Sequence, residues 1–129
     1  VGNPKWFAEK IEIKKGSTVV VLDDDIVVHE MWNDKFKGYE EELALKSFTQ
    51  GIEAMTYINS VQDKSRVFLI TDYKFKEQRI NGIEVIEKTN MYGRHVLVTS
   101  QHLSDMKNFN EKTRTVGKMH INDVPLILI

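Results

Sequence analysis

Cysteine is absent from this 129-residue sequence, and proline occurs only twice. Without cysteine the chain can form neither a disulfide framework nor a thiolate metal site, which is compatible with a reducing compartment. An excess of charge of one sign is also missing, because 18 Lys and Arg residues nearly balance 19 Asp and Glu residues. With a net charge of -1, no overall field attracts the chain to nucleic acid or to anionic lipid, and we expect it to bind neither.

Long apolar runs are missing as well. No run approaches the roughly 20 residues that a membrane-spanning helix needs, and no charged-then-apolar leader opens the chain. We therefore expect a cytoplasmic location and no membrane contact by this segment. The length suits a single hydrophobic core. The start at Val1 predicts that the segment comes from a longer parent chain. A membrane anchor elsewhere in that parent chain is compatible with this prediction.

Apolar residues follow two alternating periodicities along the chain. Uninterrupted runs such as TVVVL and RVFLIT are typical of strands that are buried on both faces of a parallel sheet. These runs predict strands over Thr18–Leu22, near 44–49, and over 66–71, 96–98 and 113–118. Between them, apolar residues recur every three or four positions and predict helices over 26–37, over 51–61, from 82 onward and over 103–109. In the first helix, Trp32 and Phe36 belong to the predicted core face.

This alternation of strands and helices predicts an α/β fold, because each parallel connection needs a crossover on a face of the sheet. We expect a flavodoxin-like three-layer sandwich with a five-stranded parallel sheet. Pro125 lies inside the final run VPLILI, where a fifth helix would otherwise be expected, and proline interrupts a helix interior. The fifth helix is therefore predicted to be shortened or missing. Residues 1–17 are interpreted as a linker or docking arm and residues 18–129 as the domain.

Acids, a hydroxyl and an ammonium group follow the predicted strands at their carboxyl ends. Asp23 and Asp24 follow the first strand, Asp72 the third, Thr99 the fourth and Lys118 the fifth. Ligands of open α/β sheets bind beyond these strand ends. Clustered carboxylates need a counter-charge, and their hard oxygens suit Mg²⁺. With Mg²⁺ and Lys118 neutralising phosphoryl oxygens, the carboxylate of Asp72 can attack phosphorus and form an aspartyl phosphate.

The motifs VVVLDDD, VFLITDY, NGIEVIEK and VLVTS, in this order, resemble those of receiver domains of response regulators and hybrid histidine kinases. The resemblance runs from Thr18 to about Lys118 and implies a CheY-like fold with a Mg²⁺ cofactor. The roles that it implies are Asp72 as the phosphoacceptor, Asp24 as a direct metal ligand, Asp23 as a ligand through water, the Lys74 backbone carbonyl as the completing ligand, Thr99 as the switch hydroxyl and Lys118 as the phosphate-pairing lysine.

The same resemblance implies the partners of the chain. A receiver takes its phosphoryl group from a phosphohistidine on a histidine kinase or a histidine phosphotransfer domain, and it catalyses only its own phosphorylation and dephosphorylation. The opening PKWF and the HEMW after the acids are similar to the C-terminal end of a hybrid sensor histidine kinase. We therefore expect a parent chain of that kind.

Three features depart from the receiver pattern. The segment between Asp72 and Gly82 is longer than usual, Met119 stands in place of the proline that usually follows the lysine, and Thr115 stands where an aromatic residue is usual. A missing fifth helix would uncover apolar surface beside the first helix, for the N-terminal arm, the tail or a second copy to cover. We therefore expect a non-standard interface, with a homodimer as one form of it.

Two other functions remain open. The letters DDDIVV after the first strand fit the signature of haloacid dehalogenase-like phosphatases, in which Asp23 would be the nucleophile and Asp25 the general acid. Thr99 and Lys118 would supply the second and third motifs of such an enzyme, but only Asp123 matches its late acidic pair. Alternatively, the chain is a pseudo-receiver, an interaction module that keeps the acids without being phosphorylated.

The four histidines fit neither a kinase nor a metal site. His29-Glu30 resembles the phosphorylated histidine box of kinases, but the usual Arg-Thr-Pro continuation is absent. His95, His102 and His120 lack the spacing of metal ligands on a helix. We therefore interpret these three as surface or structural residues.

Overall fold

The structure is a computed structural model that describes residues 7–100 and 112–129. Its strands are β1 (Ile11–Ile13), β2 (Thr18–Leu22), β3 (Ala44–Phe48), β4 (Val67–Asp72), β5 (His95–Thr99), β6 (Thr115–Gly117) and β7 (Leu126–Leu128). Its helices are α1 (Ile26–Lys35), α2 (Gly51–Ser60) and α3 (Gly82–Thr89). None of these helices is long and apolar enough to cross a membrane. The helix predicted around Leu103, Met106 and Phe109 lies outside the described residues.

Five strands form one parallel sheet in the spatial order β3-β2-β4-β5-β6. The chain crosses from β2 to β3 on one side and then returns to pair β4 with the other side of β2. This is the strand order of flavodoxin-like folds, and the change of direction places the topological switch point between the carboxyl ends of β2 and β4. The predicted α/β sandwich with a five-stranded parallel sheet is confirmed.

Apolar side chains pack on both faces of this sheet, because β4 and β5 are buried along their whole length and β2 almost so. One face is covered by α2 and α3, which contribute Ile58, Val85 and Ile86 to the core. The opposite face is covered by α1 and the residue that follows it, and Trp32 and Phe36 are buried there as the sequence predicts. Burial on both faces leaves the strand ends as the places where polar groups meet.

A second, two-stranded parallel sheet occupies the position expected of a fifth helix. Strand β7 lies parallel to β1, with Ile11 opposite Leu126 and Ile13 opposite Leu128. Both isoleucines are 1% exposed and belong to the same core cluster as α1. Pro125 directly precedes β7, where an extended backbone tolerates it. The prediction that the fifth helix is shortened or missing is confirmed, and the tail forms a short strand instead.

The segment interpreted as a linker or docking arm takes part in this layer. Ala8 is buried, and its backbone N–H donates to the carbonyl oxygen of Thr115 at 2.9 Å. Ala8, Ile11 and Ile13 therefore pack into the folded body, and the division at residue 17 stays a prediction. The apolar surface beside α1 is covered by this segment together with the tail.

Candidate functional site

Three acids meet at the switch point of the sheet. The parallel register sets Leu22 of β2 beside Thr71 of β4, so that the next residues, Asp23 and Asp72, leave the sheet side by side. One carboxylate oxygen from each of Asp23, Asp24 and Asp72 lies within 4.8 Å of the others. The sheet thus brings together three of the sequence-predicted metal ligands.

Asp23 is the most buried of the three acids, at 1% exposure. Its Oδ1 accepts the backbone N–H of Asp25 at 2.8 Å. Its Oδ2 is buried without a hydrogen-bond donor among the described residues, because the nearest cation, the Nζ of Lys118, lies 3.8 Å away. Burial raises the pKa of Asp23, and the Asp25 N–H and the charge of Lys118 oppose that rise. An oxygen of this kind lacks a partner that a cation would supply.

Asp72 ends β4 and is 4% exposed. Its Oδ1 accepts the backbone N–H of Tyr73 at 2.9 Å, and its Oδ2 lies 3.4 Å from the Nζ of Lys118. Burial, followed by the negative charge of Asp23, raises the pKa of Asp72 to about 6, against the opposing effect of Lys118. The carboxyl group is therefore mostly ionised at pH 7, at a cost in stability.

Lys118 reaches the acids from the end of β6. It opens a short 3₁₀ turn, Lys118–His120, and all peptide bonds of the described residues are trans. Its ammonium group contacts Asp72 and Asp23 together, and a quarter of the side chain remains exposed. Met119, in place of the usual proline, does not prevent the lysine from reaching the predicted position.

Asp24 holds the loop that follows β4, which we call the 73–81 loop. Its Oδ2 accepts the backbone N–H of Lys76 at 2.7 Å. Lys74 forms an isolated antiparallel bridge with Asn81 at the base of the loop. A cleft of about 650 Å³ separates the loop from the strand ends, and its lining residues are Asp24, Asp25, Ile26, Asp72, Lys74, Phe75, Lys76, Ser100 and Lys118. Lys74 thus borders the acids, as a ligand at this position requires.

Thr99 is the last residue of β5 and lies on the same edge of the sheet. It is 3% exposed and pairs in register with Gly117, the residue before Lys118. The next residue, Ser100, lines the cleft. The backbone therefore places Thr99 close to the site, and its role as the switch hydroxyl stays a prediction.

Gly82 is a positioning residue that the sequence analysis placed only at the start of a helix. A Cβ atom at this position would lie 2.1 Å from the backbone oxygen of Asp72 and 2.9 Å from a methyl carbon of Leu97. Its N–H donates to the Tyr73 carbonyl oxygen at 2.7 Å. Only glycine lets α3 begin this close to the backbone of Asp72. The Asn81-Gly82 pair signalled the helix, but the close approach depends on tertiary packing.

His29 contacts the backbone at the ends of β2 and β3, next to the acids. Its Nε2 lies 2.7 Å from the carbonyl oxygen of Asp23 and 3.1 Å from that of Phe48. Because both partners are carbonyl oxygens, Nε2 carries the proton and donates to them. The side chain, 8% exposed, joins the ends of β2 and β3. This buried position does not suit a histidine that accepts phosphate from a kinase.

The parallel sheet has the fold of response regulator receiver domains, as three solved structures illustrate. The receiver domain of the Francisella response regulator 1452 matches with a TM-score of 0.61 at 18% identity, over 83% of this chain and 88% of that chain. The chemotaxis response regulator CheY4 of Vibrio cholerae matches at 0.56 and 15% identity, over 78% and 82% of the two chains.

The receiver domain of the hybrid histidine kinase CckA has the same fold, with a TM-score of 0.54 at 13% identity over 79% of this chain and 85% of that chain. Comparison of the sequence with protein-family models found no match, and comparison with curated proteins found none. The likeness is therefore one of fold, and the chemistry must be argued from the site.

Proposed function

We propose that this chain is the phosphoacceptor domain of a two-component phosphorelay, in which Asp72 accepts a phosphoryl group from a phosphohistidine. The observation that carries the proposal is the position of Asp72. It is a buried carboxylate with its Oδ2 at 3.4 Å from a lysine ammonium, beside two further acids at the switch point of a receiver-type sheet. A histidine kinase or a histidine phosphotransfer domain would be the donor, and a hybrid sensor kinase the parent chain.

The acids have the chemistry of a Mg²⁺ site. Three carboxylates share one edge with a single contacting lysine, and Asp23 Oδ2 is buried without a donor among the described residues. Mg²⁺ prefers such oxygen ligands. The carboxylates of Asp23, Asp24 and Asp72 and the carbonyl of Lys74 would hold it. When bound, it would neutralise negative charge on the acids and on the phosphoryl oxygens.

The residues of the chain supply the nucleophile and one counter-charge. A carboxylate oxygen of Asp72 forms a bond to phosphorus while the bond from phosphorus to the histidine nitrogen of the donor breaks. The electron pair of that bond returns to the imidazole ring. Lys118, already near Asp72, pairs with the phosphoryl oxygens, and the Thr99 hydroxyl donates to one of them. The phosphoryl group on Asp72 adds a charge of roughly -2. This charge then switches the conformation of a protein-interaction face near Thr99.

The test uses acetyl phosphate and Mg²⁺ with purified protein, and intact mass as the readout. We expect a gain of one phosphate in the wild type and none in Asp72→Asn. Asp34→Asn is the matched control, because Asp34 is an exposed acid on α1 away from the cleft. It should be phosphorylated like the wild type.

The other outcomes separate the alternatives. Absence of modification in every protein, also with a phosphohistidine donor, would favour a pseudo-receiver. Phosphate release that survives in Asp72→Asn and is lost in Asp23→Asn would favour the phosphatase. One contact weighs against that enzyme, since Asp25, its general acid, caps α1 through Oδ1, which accepts the Val27 N–H at 2.9 Å.

A further inference from the structure

The 73–81 loop is attached to the ends of three strands. At its base, the N–H of Gly82 donates to the Tyr73 carbonyl oxygen. In its middle, the N–H of Lys76 donates to Asp24 beyond β2. Near its end, the side chain of Gln78 reaches the segment between β3 and α2. The loop that distinguishes this sequence from the receiver pattern is therefore held by specific contacts.

Gln78 makes two hydrogen bonds with one amide group. Its Oε1 accepts the N–H of Gly51 at 2.8 Å, and its Nε2 donates to the carbonyl oxygen of Thr49 at 3.1 Å. The first N–H groups of a helix need acceptors from outside the helix. The N-cap residue of α2, Gln50, provides no side-chain cap. Gln78, 27 residues after Gly51, supplies that cap instead.

The backbone between Lys76 and Gln78 would not adopt this shape unaided. Glu77 has a φ of 57°, in the left-handed backbone region that residues other than glycine and asparagine rarely occupy. This conformation turns the chain so that Lys76 N–H faces Asp24 while Gln78 faces α2. The contacts on both sides of Glu77 stabilise this conformation, with the Lys76 N–H bound to Asp24 on one side and the Gln78 amide bound to Thr49 and Gly51 on the other.

We propose that Gln78 is a positioning residue for the cation site. Its two hydrogen bonds hold the loop, and the loop holds the Lys76 N–H against Asp24 Oδ2. This contact fixes the Asp24 carboxylate beside Asp23 and Asp72. The same anchoring fixes the backbone of Lys74, whose carbonyl is a predicted ligand. The inference rests on the proposed function, because it needs the acids to bind a divalent cation.

The experiment measures the dissociation constant for Mg²⁺ by calorimetry and the exchange of the Lys76 and Gly51 amide protons by NMR. Gln78→Met keeps the size of the side chain and removes both hydrogen bonds. Gln78→Glu keeps the acceptor for Gly51 and loses the donor to Thr49. Gln62→Met is the matched control, because Gln62 is exposed and lies outside the loop.

We expect Gln78→Met to bind Mg²⁺ about tenfold more weakly, as is usual when a residue that orients a metal ligand is lost. Exchange should accelerate at Gly51 and also at Lys76. Gln78→Glu should recover part of the affinity, and Gln62→Met should behave like the wild type.

Two outcomes would overturn the inference in different ways. If Gly51 exchanges faster in Gln78→Met while Mg²⁺ affinity and Lys76 exchange stay unchanged, Gln78 only caps α2 and the inference alone fails. If the wild type binds no Mg²⁺ at millimolar concentration, the proposed cation site fails and the inference falls with it.

Discussion

The carboxyl ends and the amino ends of the parallel strands form two opposite edges of the sheet, and each edge buries a different kind of titratable group: an acid at the carboxyl edge and a histidine at the amino edge. At the carboxyl edge, burial raises the pKa of Asp72 to about 6. At the amino edge, burial lowers the pKa of His95 to about 4, and its Nε2 accepts the N–H of Arg114 at 3.1 Å. Desolvation favours the neutral form in both cases.

The consequence differs because the neighbours differ. His95 is neutral and holds a backbone N–H beside a cavity of about 790 Å³ whose lining includes Lys10, Lys112 and Arg114. Asp72 instead faces two more acids and, among the described residues, one ammonium group, so the negative charges there outnumber the positive ones. One edge uses its buried group for structure, and the other keeps buried charge that a cation and a phosphoryl group can use.

The largest effect should come from glycines at the two edges. Gly82→Ala places a methyl group 2.1 Å from the Asp72 carbonyl oxygen, and we expect the free energy of unfolding to fall by about 3 kcal/mol or more. Gly93 at the amino edge has a φ of 88° and nothing within 4 Å of a Cβ, so Gly93→Ala should cost only about 1 kcal/mol of backbone strain. Urea unfolding measures both values, and equal costs would contradict the packing argument.

The next effect concerns acid stability. The pKa of His95 falls from 6.5 to about 4 on folding, so the unfolded chain binds the proton more readily. The stability that neutral His95 contributes to the folded state is present above pH 6.5. It is lost as the pH falls toward 4, by about 3 kcal/mol in total. We expect His95→Gln, which keeps an acceptor for Arg114, to lose less stability than the wild type between pH 6.5 and 4. Parallel pH profiles would disprove the assignment.

A further effect on stability, from Asp72, has the opposite sign. The folded pKa of Asp72, about 6, lies above the ordinary 3.8, so its contribution is full below pH 3.8 and is lost as the pH rises through 6. Without divalent cation, Asp72→Asn should therefore raise the free energy of unfolding at pH 7 by about 3 kcal/mol and change it little near pH 4. Denaturant titrations at the two pH values measure the difference. A variant less stable than the wild type at pH 7 would show that Lys118 already compensates the charge.

Much of the fold could be predicted because local patterns and burial agree in β2, β4 and β5. The runs TVVVL and VFLIT are buried on both faces, and the acids follow them directly. Asp23, Asp24, Asp72 and Lys118 were predicted as one site and lie together. The fifth helix was predicted to be shortened or missing, but the pairing of the tail with β1 was not predicted, because strand partners distant in the chain leave no local signal.

Gln78 and His29 show where the sequence is insufficient. A glutamine in a polar loop and a histidine in a helix have many ordinary roles. Gln78 binds Gly51, 27 residues earlier in the chain, and His29 binds Phe48, 19 residues later. The shape of the 73–81 loop depends on these contacts and on the left-handed backbone of Glu77.

By itself, the sequence determined which segments form the five strands of the main sheet and the helices α1, α2 and α3, and which chemical groups stand at the strand ends, because these follow from side-chain periodicity. Only the tertiary structure decided how close those groups lie, which of them lack a partner and how the loop over them is held. Those properties depend on register, burial and contacts between distant segments, and they set the pKa of Asp72 and the room for a cation.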